Sequence, residues 1–291
     1  MMELSVLRDS AMIDALERAL REDIGTGDVT TRFTVAPDMQ GRGVFTAKAH
    51  GVLAGIEVAA AVLKLVDDRL RFHRAVPDGN PVMRGMTVAT VEGPLASMLT
   101  AERVALNFLQ RMSGIATLTS AFVKLVEDTT AKIVDTRKTA PGLRAFDKWA
   151  VRLGRGHNHR FGLDDMIMIK DNHIEAAGGI QEAVRLCLMN LPQDRSIKIE
   201  VETKNLREVG EVLGCDGVDQ IMLDNFMLEE MSLAVGMIRR HKPEMVIEAS
   251  GGVTLETVRA IAETGVDVIS VGALTHSVEA LDISFNVQRI K

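Results

Sequence analysis

The chain reads as an α/β protein in two parts. A small α+β unit with an antiparallel sheet comes first, and strand–helix repeats of an incomplete or minimal parallel barrel follow, with a doubly wound open sheet as the alternative. Three observations predict this. Short β-prone pieces crowd between turn signals over residues 43–92. After residue 130, strand patterns alternate with helical ones, the rhythm of βαβ units. Only about 180 residues follow position 110, fewer than the ~250 of a full (β/α)₈ barrel.

Taken in order, the first 24 residues form an amphipathic helix, with Met12, Leu16 and Leu20 at i, i+4 and i+8. Gly25 and Gly27 break it. The first sheet draws on Val44–Ala47, Val52–Leu53 and Thr87–Val91, set off by Asp78-Gly79-Asn80-Pro81 and Glu92-Gly93-Pro94, with one helix at Glu57–Val66. Thr100 is the expected N-cap of the next helix, whose apolar stripe is Val104, Phe108, Met112 and Ile115. Arg103, Asn107 and Arg111 repeat at i+4 on another face, which spacing alone reads as solvated. Barrel strands are expected at Lys132–Thr136, Met166–Lys170, Ile197–Thr203, Asp219–Asp224, Met245–Ser250 and Asp267–Gly272. Helices are expected at Leu143–Leu153, Ile180–Leu191, Leu206–Leu213, Leu228–Arg240 and Leu255–Thr264.

Composition narrows the function. Hydrophobic residues are 46% and charged residues 25% of 291, which excludes disorder and low complexity. No apolar run approaches a membrane span, and Met1-Met2-Glu3-Leu4 does not open a signal peptide, so the cytoplasm is the default expectation. Cys187 and Cys215 are too few for a disulfide framework or zinc site and read as reduced packing residues. Net charge is -6, yet residues 137–173 hold eight Lys/Arg against four acids, or +4, leaving -10 elsewhere. With 3% aromatics and no tyrosine, nucleic acid is a poor partner; a pocket for a small polyanion fits better.

Every barrel strand ends in polar or glycine residues: Asp135-Thr136-Arg137-Lys138, Lys170-Asp171-Asn172-His173, Glu200-Val201-Glu202, Asp224-Asn225, Ser250-Gly251-Gly252 and Ser270-Val271-Gly272. In a parallel barrel these ends gather at the face that builds active sites. Glycines at the last two ends let backbone approach a phosphate, and Thr254 opens a helix whose N–H groups are free. Period-two alternation puts Lys198, Glu200 and Glu202 on one face, where Lys198 would pair with a glutamate and leave the second carboxylate for ligand hydroxyls or a metal. The loop Gly154-Arg155-Gly156-His157-Asn158-His159-Arg160 is basic; i, i+2 histidines without a third ligand favour anion contact over metal, and no metal ligand is assigned. His50, His73 and His241 read as surface or satisfied residues.

These runs closely resemble the quinolinate phosphoribosyltransferase family, also called carboxylating nicotinate-nucleotide pyrophosphorylases. The text that carries the likeness begins with Glu22-Asp23-Ile24-Gly25-Thr26-Gly27-Asp28-Val29-Thr30 and Ala101-Glu102-Arg103-Val104-Ala105-Leu106-Asn107. It continues through Asp135-Thr136-Arg137-Lys138-Thr139, Asn158-His159-Arg160, Ile169-Lys170-Asp171-Asn172-His173, Met222-Leu223-Asp224-Asn225, Ser250-Gly251-Gly252-Val253 and Val271-Gly272-Ala273-Leu274-Thr275-His276. It spans about residues 5 to 285 in order. One departure is Arg155, where the family commonly has the middle of a glycine triplet.

The resemblance implies an N-terminal α/β sandwich of the hammerhead type over residues 1–112, with the tail 276–291 packing back, and an open α/β barrel over 113–275 carrying the active site. It implies transfer of phosphoribosyl from 5-phosphoribosyl pyrophosphate to quinolinate with loss of CO₂, with Mg²⁺ carried by the donor, giving nicotinate mononucleotide for NAD biosynthesis. The expected catalytic residues are Lys138, Lys170, Glu200 and Asp224. Substrate contacts are expected from Arg103, Thr136, Arg137, Thr139, His159, Arg160, Ser250, Gly251, Gly252, Ser270, Val271 and Gly272 as well. A homodimer with shared sites, able to assemble to a hexamer, is implied, with Arg103 supplied by the neighbour. Rival readings are a Schiff-base aldolase or decarboxylase using Lys170, a paralogue linked to molybdenum uptake, and a non-catalytic phosphate-ligand sensor.

Overall fold

A computed structural model describes residues 9–192 and 197–290. Residues 1–8 of the expected first helix, and Lys291 of the tail, lie outside that range. The chain divides into two compact units: Met1–Ser120, Thr139–Arg155 and Leu274–Lys291 form one, Ala121–Lys138 and Gly156–Ala273 the other.

The first unit holds strands β1 (Gln40–Ala47), β2 (Gly51–Val52), β3 (Arg71–Arg74), β4 (Pro81–Val82) and β5 (Thr87–Pro94), and helices α1 (Ser10–Ile24), α2 (Val29–Thr34), α3 (Ile56–Val66) and α4 (Leu95–Leu125), the last of which runs on past Ser120. Asp9 caps α1 by accepting the N–H groups of Ala11 and Met12, and the stripe Met12, Ala15, Leu16, Leu20 is buried. Its sheet is antiparallel, in the order β12-β1-β5-β3, where β12 is Ile283–Arg289 from the C-terminal tail. Phe45 and Phe285 face each other across β1 and β12 with ring centroids 4.5 Å apart.

Three expectations are corrected here. Thr100 is not an N-cap: α4 starts at Leu95, whose N–H bonds Met39 O, and Thr100 Oγ1 bonds Ala96 O inside the helix. The Arg103–Asn107–Arg111 stripe is also not uniformly solvated. Arg103 and Asn107 are exposed, but Arg111 clamps the buried Asp147 through Nε–Oδ1 at 2.9 Å and Nη2–Oδ2 at 2.8 Å. Asp147 belongs to α5 (Arg144–Leu153), the helix expected inside the barrel, which lies in the first unit instead.

The second unit is a six-stranded parallel sheet. Its strands are β6 (Lys132–Val134), β7 (Ile167–Ile169), β8 (Ile199–Thr203), β9 (Gln220–Asp224), β10 (Val246–Ser250) and β11 (Val268–Ser270), each inside a predicted strand. The order β6-β11-β10-β9-β8-β7 runs through β7 to β11 consecutively and then joins the last strand to the first. A doubly wound sheet would reverse direction at a switch point, so this is a barrel that stops short of closing. The gap is spanned by the segment that returns after α5. His157 pairs with Val134, and the Arg160 guanidinium donates to Met166 O at 3.1 Å. Helices α6 (Asp171–Ala177), α7 (Ile180–Asn190), α8 (Leu206–Leu213), α9 (Leu228–His241) and α10 (Val258–Glu263) follow their strands, and α11 (Ala273–His276) leads to the tail. α6 was not anticipated, and α10 is shorter than expected.

Candidate active site

At the C-terminal ends of the parallel strands lies a cavity of about 640 Å³. Its wall collects Thr136, Arg137 and Lys138 after β6, His159 and Arg160 from the returning segment, and Met168 and Lys170 at β7. Glu202, Met222, Asp224, Asn225, Glu248, Ser250, Gly251, Gly252 and Ser270 complete it.

Local chemistry fixes each group. The buried Asp135 carboxylate accepts the N–H of His159 at 2.9 Å and the Asn158 amide, which pins the His159-Arg160 segment beside β6. Thr136 Oγ1 accepts Lys138 N–H at 3.0 Å, turning the chain after the strand. Lys170 precedes α6, its O accepts His173 N–H, and its Nζ meets Glu202 Oε2 at 2.6 Å. Asn225 and Gly251 both adopt left-handed backbone, φ 57° and 94°, and Asn225 N–H bonds Ser250 O at 2.8 Å. A Cβ on Gly251 would sit 2.1 Å from Asn225 Oδ1, so any other residue would be strained at this φ and displace that side chain. Ser270 Oγ is buried on the wall with no hydrogen-bond partner among the described residues.

At the foot of the wall, His159 Nε2 lies 3.0 Å from Glu248 Oε2 and 3.3 Å from Oε2 of Glu200 behind the lining, both glutamates being fully buried. Gln220 Nε2 donates to Glu200 Oε1 at 3.0 Å and Glu248 Oε2 at 2.7 Å. Burial opposes charge on the His159 ring while the two carboxylates beside Nε2 favour it, and Nδ1, which accepts the Arg160 backbone N–H at 2.8 Å, leaves no place for a second proton. Burial, then the charge of Glu248, pushes Glu200 up to about 7. Burial and the neighbouring Arg137 lower the Arg160 pKa.

Of the predicted site residues, Thr136, Arg137, Lys138, His159, Arg160, Lys170, Asp224, Ser250, Gly251, Gly252 and Ser270 come together. Others fall elsewhere. Glu200 is in the layer under the wall, not on it, and its partners are His159 and Gln220 rather than Lys198, which is exposed and precedes β8. Val271 is buried, with its N–H on Val134 O. Neither it nor Gly272 lines the cavity. Thr139 lies in the first unit, where its Oγ1 accepts from Arg144 Nε, and Arg103 is exposed in that same unit. Sequence reasoning gave no role to Met168, Met222 or Glu248. Alternation along the neighbouring strands carries the signal. On β9 it sets Gln220, Met222 and Asp224 on one face, and on β10 it isolates Glu248 between Ile247 and Ala249.

Two family descriptions match this chain: "Quinolinate phosphoribosyl transferase, C-terminal domain" over residues 115–286 and the corresponding "N-terminal domain" over 28–113. The chain belongs to the quinolinate phosphoribosyltransferase family. Among curated family members, the "Quinolinate phosphoribosyltransferase [decarboxylating] 1b" of Nicotiana tabacum is 46% identical over 94% of this chain and 81% of its own length. The "Probable nicotinate-nucleotide pyrophosphorylase [carboxylating]" of Synechocystis is also 46% identical, over 94% of this chain and 92% of its own. The crystal structure of NadC from Streptococcus pyogenes superposes with TM-score 0.92 at 39% identity, covering all of both chains. The two-domain architecture of a sandwich and an open parallel α/β domain is thus the family's.

Proposed function

We propose that this chain transfers phosphoribosyl from 5-phosphoribosyl pyrophosphate to quinolinate and releases CO₂, giving nicotinate mononucleotide and pyrophosphate for NAD biosynthesis. The observation that carries the reading is one cavity lined by Arg137, Lys138, Arg160 and Lys170 together with the left-handed turn at Gly251. Such a wall matches a dicarboxylate and a polyphosphate bound side by side. The pyridine nitrogen forms a bond to ribose C1 as the C1–oxygen bond to pyrophosphate breaks through an oxocarbenium-like state. The protein's task is alignment and neutralisation of departing charge. Arg137, His159 and Arg160 hold the pyridine carboxylates; Lys138, Lys170, Ser250, Gly251, Gly252 and Ser270 hold the donor phosphates. CO₂ then departs and leaves the electron pair of its bond on the adjacent ring carbon, where the cationic nitrogen stabilises it until it bonds a proton.

Asp224 and Glu202 offer carboxylates to the ribose hydroxyls, and Asp224 also suits the waters of a hydrated cation. Mg²⁺, bound to the donor's pyrophosphate oxygens, would offset charge on the leaving group. His159, Glu200 and Glu248 have donor atoms within 4.8 Å of one another, but they bind each other and Gln220 and do not form an open ligand set. A two-fold homodimer completes the proposal, with Arg103 crossing from the partner to cover a carboxylate, and such dimers can associate to a hexamer. Two unpaired thiols, Cys187 and Cys215, agree with the cytoplasm, and among the described residues no helix is long and apolar enough to cross a membrane.

The test is direct. Purified protein with quinolinate, phosphoribosyl pyrophosphate and Mg²⁺ should yield nicotinate mononucleotide and CO₂, with little product from nicotinate. A site charged for two carboxylates is left mismatched by one. Comparable turnover of nicotinate would reverse the substrate assignment, and no product from either would reject the reaction.

A further inference from the structure

β9 lies between β8 and β10, and Gln220 opens it opposite Glu200 on one side and Val246 on the other. Its side chain enters the layer where Glu200 and Glu248, neither of them exposed, converge on a single imidazole nitrogen. One Nε2–H cannot serve two carboxylates. The two hydrogens on the Gln220 amide nitrogen supply the shortfall, one to each glutamate, without adding a charge. The His159 ring is also fixed from its other edge, where Nδ1 accepts the backbone N–H of Arg160 at 2.8 Å. The ring thus stands on the cavity wall held at both nitrogens, and its lower hold depends on the two glutamates staying in place.

We infer that Gln220 is a positioning residue: its one amide nitrogen ties Glu200 to Glu248 and so fixes the His159 ring in the cavity wall. The inference rests on the reaction proposed above, and it adds a residue outside the cavity lining to that reaction. Gln220 hydrogen bonding also lowers the Glu200 pKa against burial and Glu248. Without it, Glu200 keeps a proton to higher pH than in the intact layer, and two carboxyls sharing that proton turn toward each other and away from the ring. The other charged groups around this layer are Arg160, Arg137 and the Lys170–Glu202 pair.

The experiment uses the unliganded full-length protein and two variants. Gln220→Met keeps the volume and removes both donors; Gln220→Asn keeps the amide on a shorter arm. Infrared difference titration with ¹³C-glutamate should find a buried carboxyl in wild type that Glu200→Gln abolishes. In folded Gln220→Met its midpoint should move up by about one pH unit or more, with Gln220→Asn in between. In turnover, the acid limb of kcat/KM for quinolinate should follow the same shift, and KM should rise about tenfold while kcat stays within about threefold. An unmoved midpoint in either folded variant, or no such carboxyl in wild type, overturns the inference. The infrared readout needs no turnover, so a wild type that fails to convert quinolinate would refute the proposed reaction and leave this test to be decided on its own.

Discussion

Lys170 follows β7 with Nζ 2.6 Å from Glu202, and Lys138 stands on the same wall after β6. Preorganised cations aimed at a departing pyrophosphate act mainly in the transition state. Lys138→Ala and Lys170→Ala should therefore each lower kcat/KM by ~10²-fold or more, with far-UV circular dichroism and melting temperature near wild type. An active, folded Lys170→Ala protein would remove that residue from the site. A second residue-scale prediction concerns Asp78, far from the chemistry in sequence and role. Its Oδ1 accepts the N–H of Ile56 at the start of α3, while Oδ2 is buried without a partner among the described residues. Burial raises its pKa from 3.8 to about 6, so the folded state binds this proton more tightly than the unfolded chain does. Stability from this group is greatest below pH 4 and falls as pH rises through 6, by on the order of 3 kcal/mol in all. Asp78→Asn keeps the acceptor for α3 and removes the charge. Its denaturation midpoint should exceed wild type at pH 8 and lose that advantage at pH 4.5. Equal midpoints at both would show that the carboxylate costs nothing.

Among the elements, the turns after β9 and β10 form one device, because Asn225 packs against Gly251 and bonds Ser250 O. Gly251→Ala should push Asn225 away and raise KM for phosphoribosyl pyrophosphate about tenfold, with KM for quinolinate nearly unchanged. An equal rise in both would mean that the substitution disturbs the whole cavity. These strand ends were legible in the sequence because an apolar run stopping at a polar or glycine residue needs no long-range information. β3 was not. Arg71, His73 and Arg74 are exposed, so no alternating apolar face marks the strand, which is held by its ladder to β5, by Phe72 against Phe45 and by Arg74 with Glu57. α4 was misread at its start because Thr100 carries the right residue type for a cap, while the actual start at Leu95 depends on a distant carbonyl, Met39 O. The same limit hid the partners of Glu200. Alternation said that it points inward, but only the neighbouring strands decide that Gln220 and His159, not Lys198, meet it.

At the scale of the whole molecule, Arg103 tests the proposed dimer. It is exposed on α4, in the unit that does not contain the cavity. Arg103→Ala and Lys170→Ala should each be inactive alone. Mixed in equal amounts under conditions of subunit exchange, half the dimers are hybrids with one intact site, so activity should return to about a quarter of wild type. No recovery despite demonstrated exchange would place Arg103 within its own chain's site. The division of the chain carries a different consequence. The backbone passes from one compact unit to the other four times, after Ser120, Lys138, Arg155 and Ala273. Neither unit is therefore a contiguous stretch that a gene fragment could encode. The point where the two family descriptions meet, near residue 114, falls in the middle of α4. A chimera spliced there joins two half-helices of different parentage. One peptide bond cut in any linker leaves each unit still tethered to the other by the remaining crossings, so shuffling domains between relatives requires exchanging segments in sets.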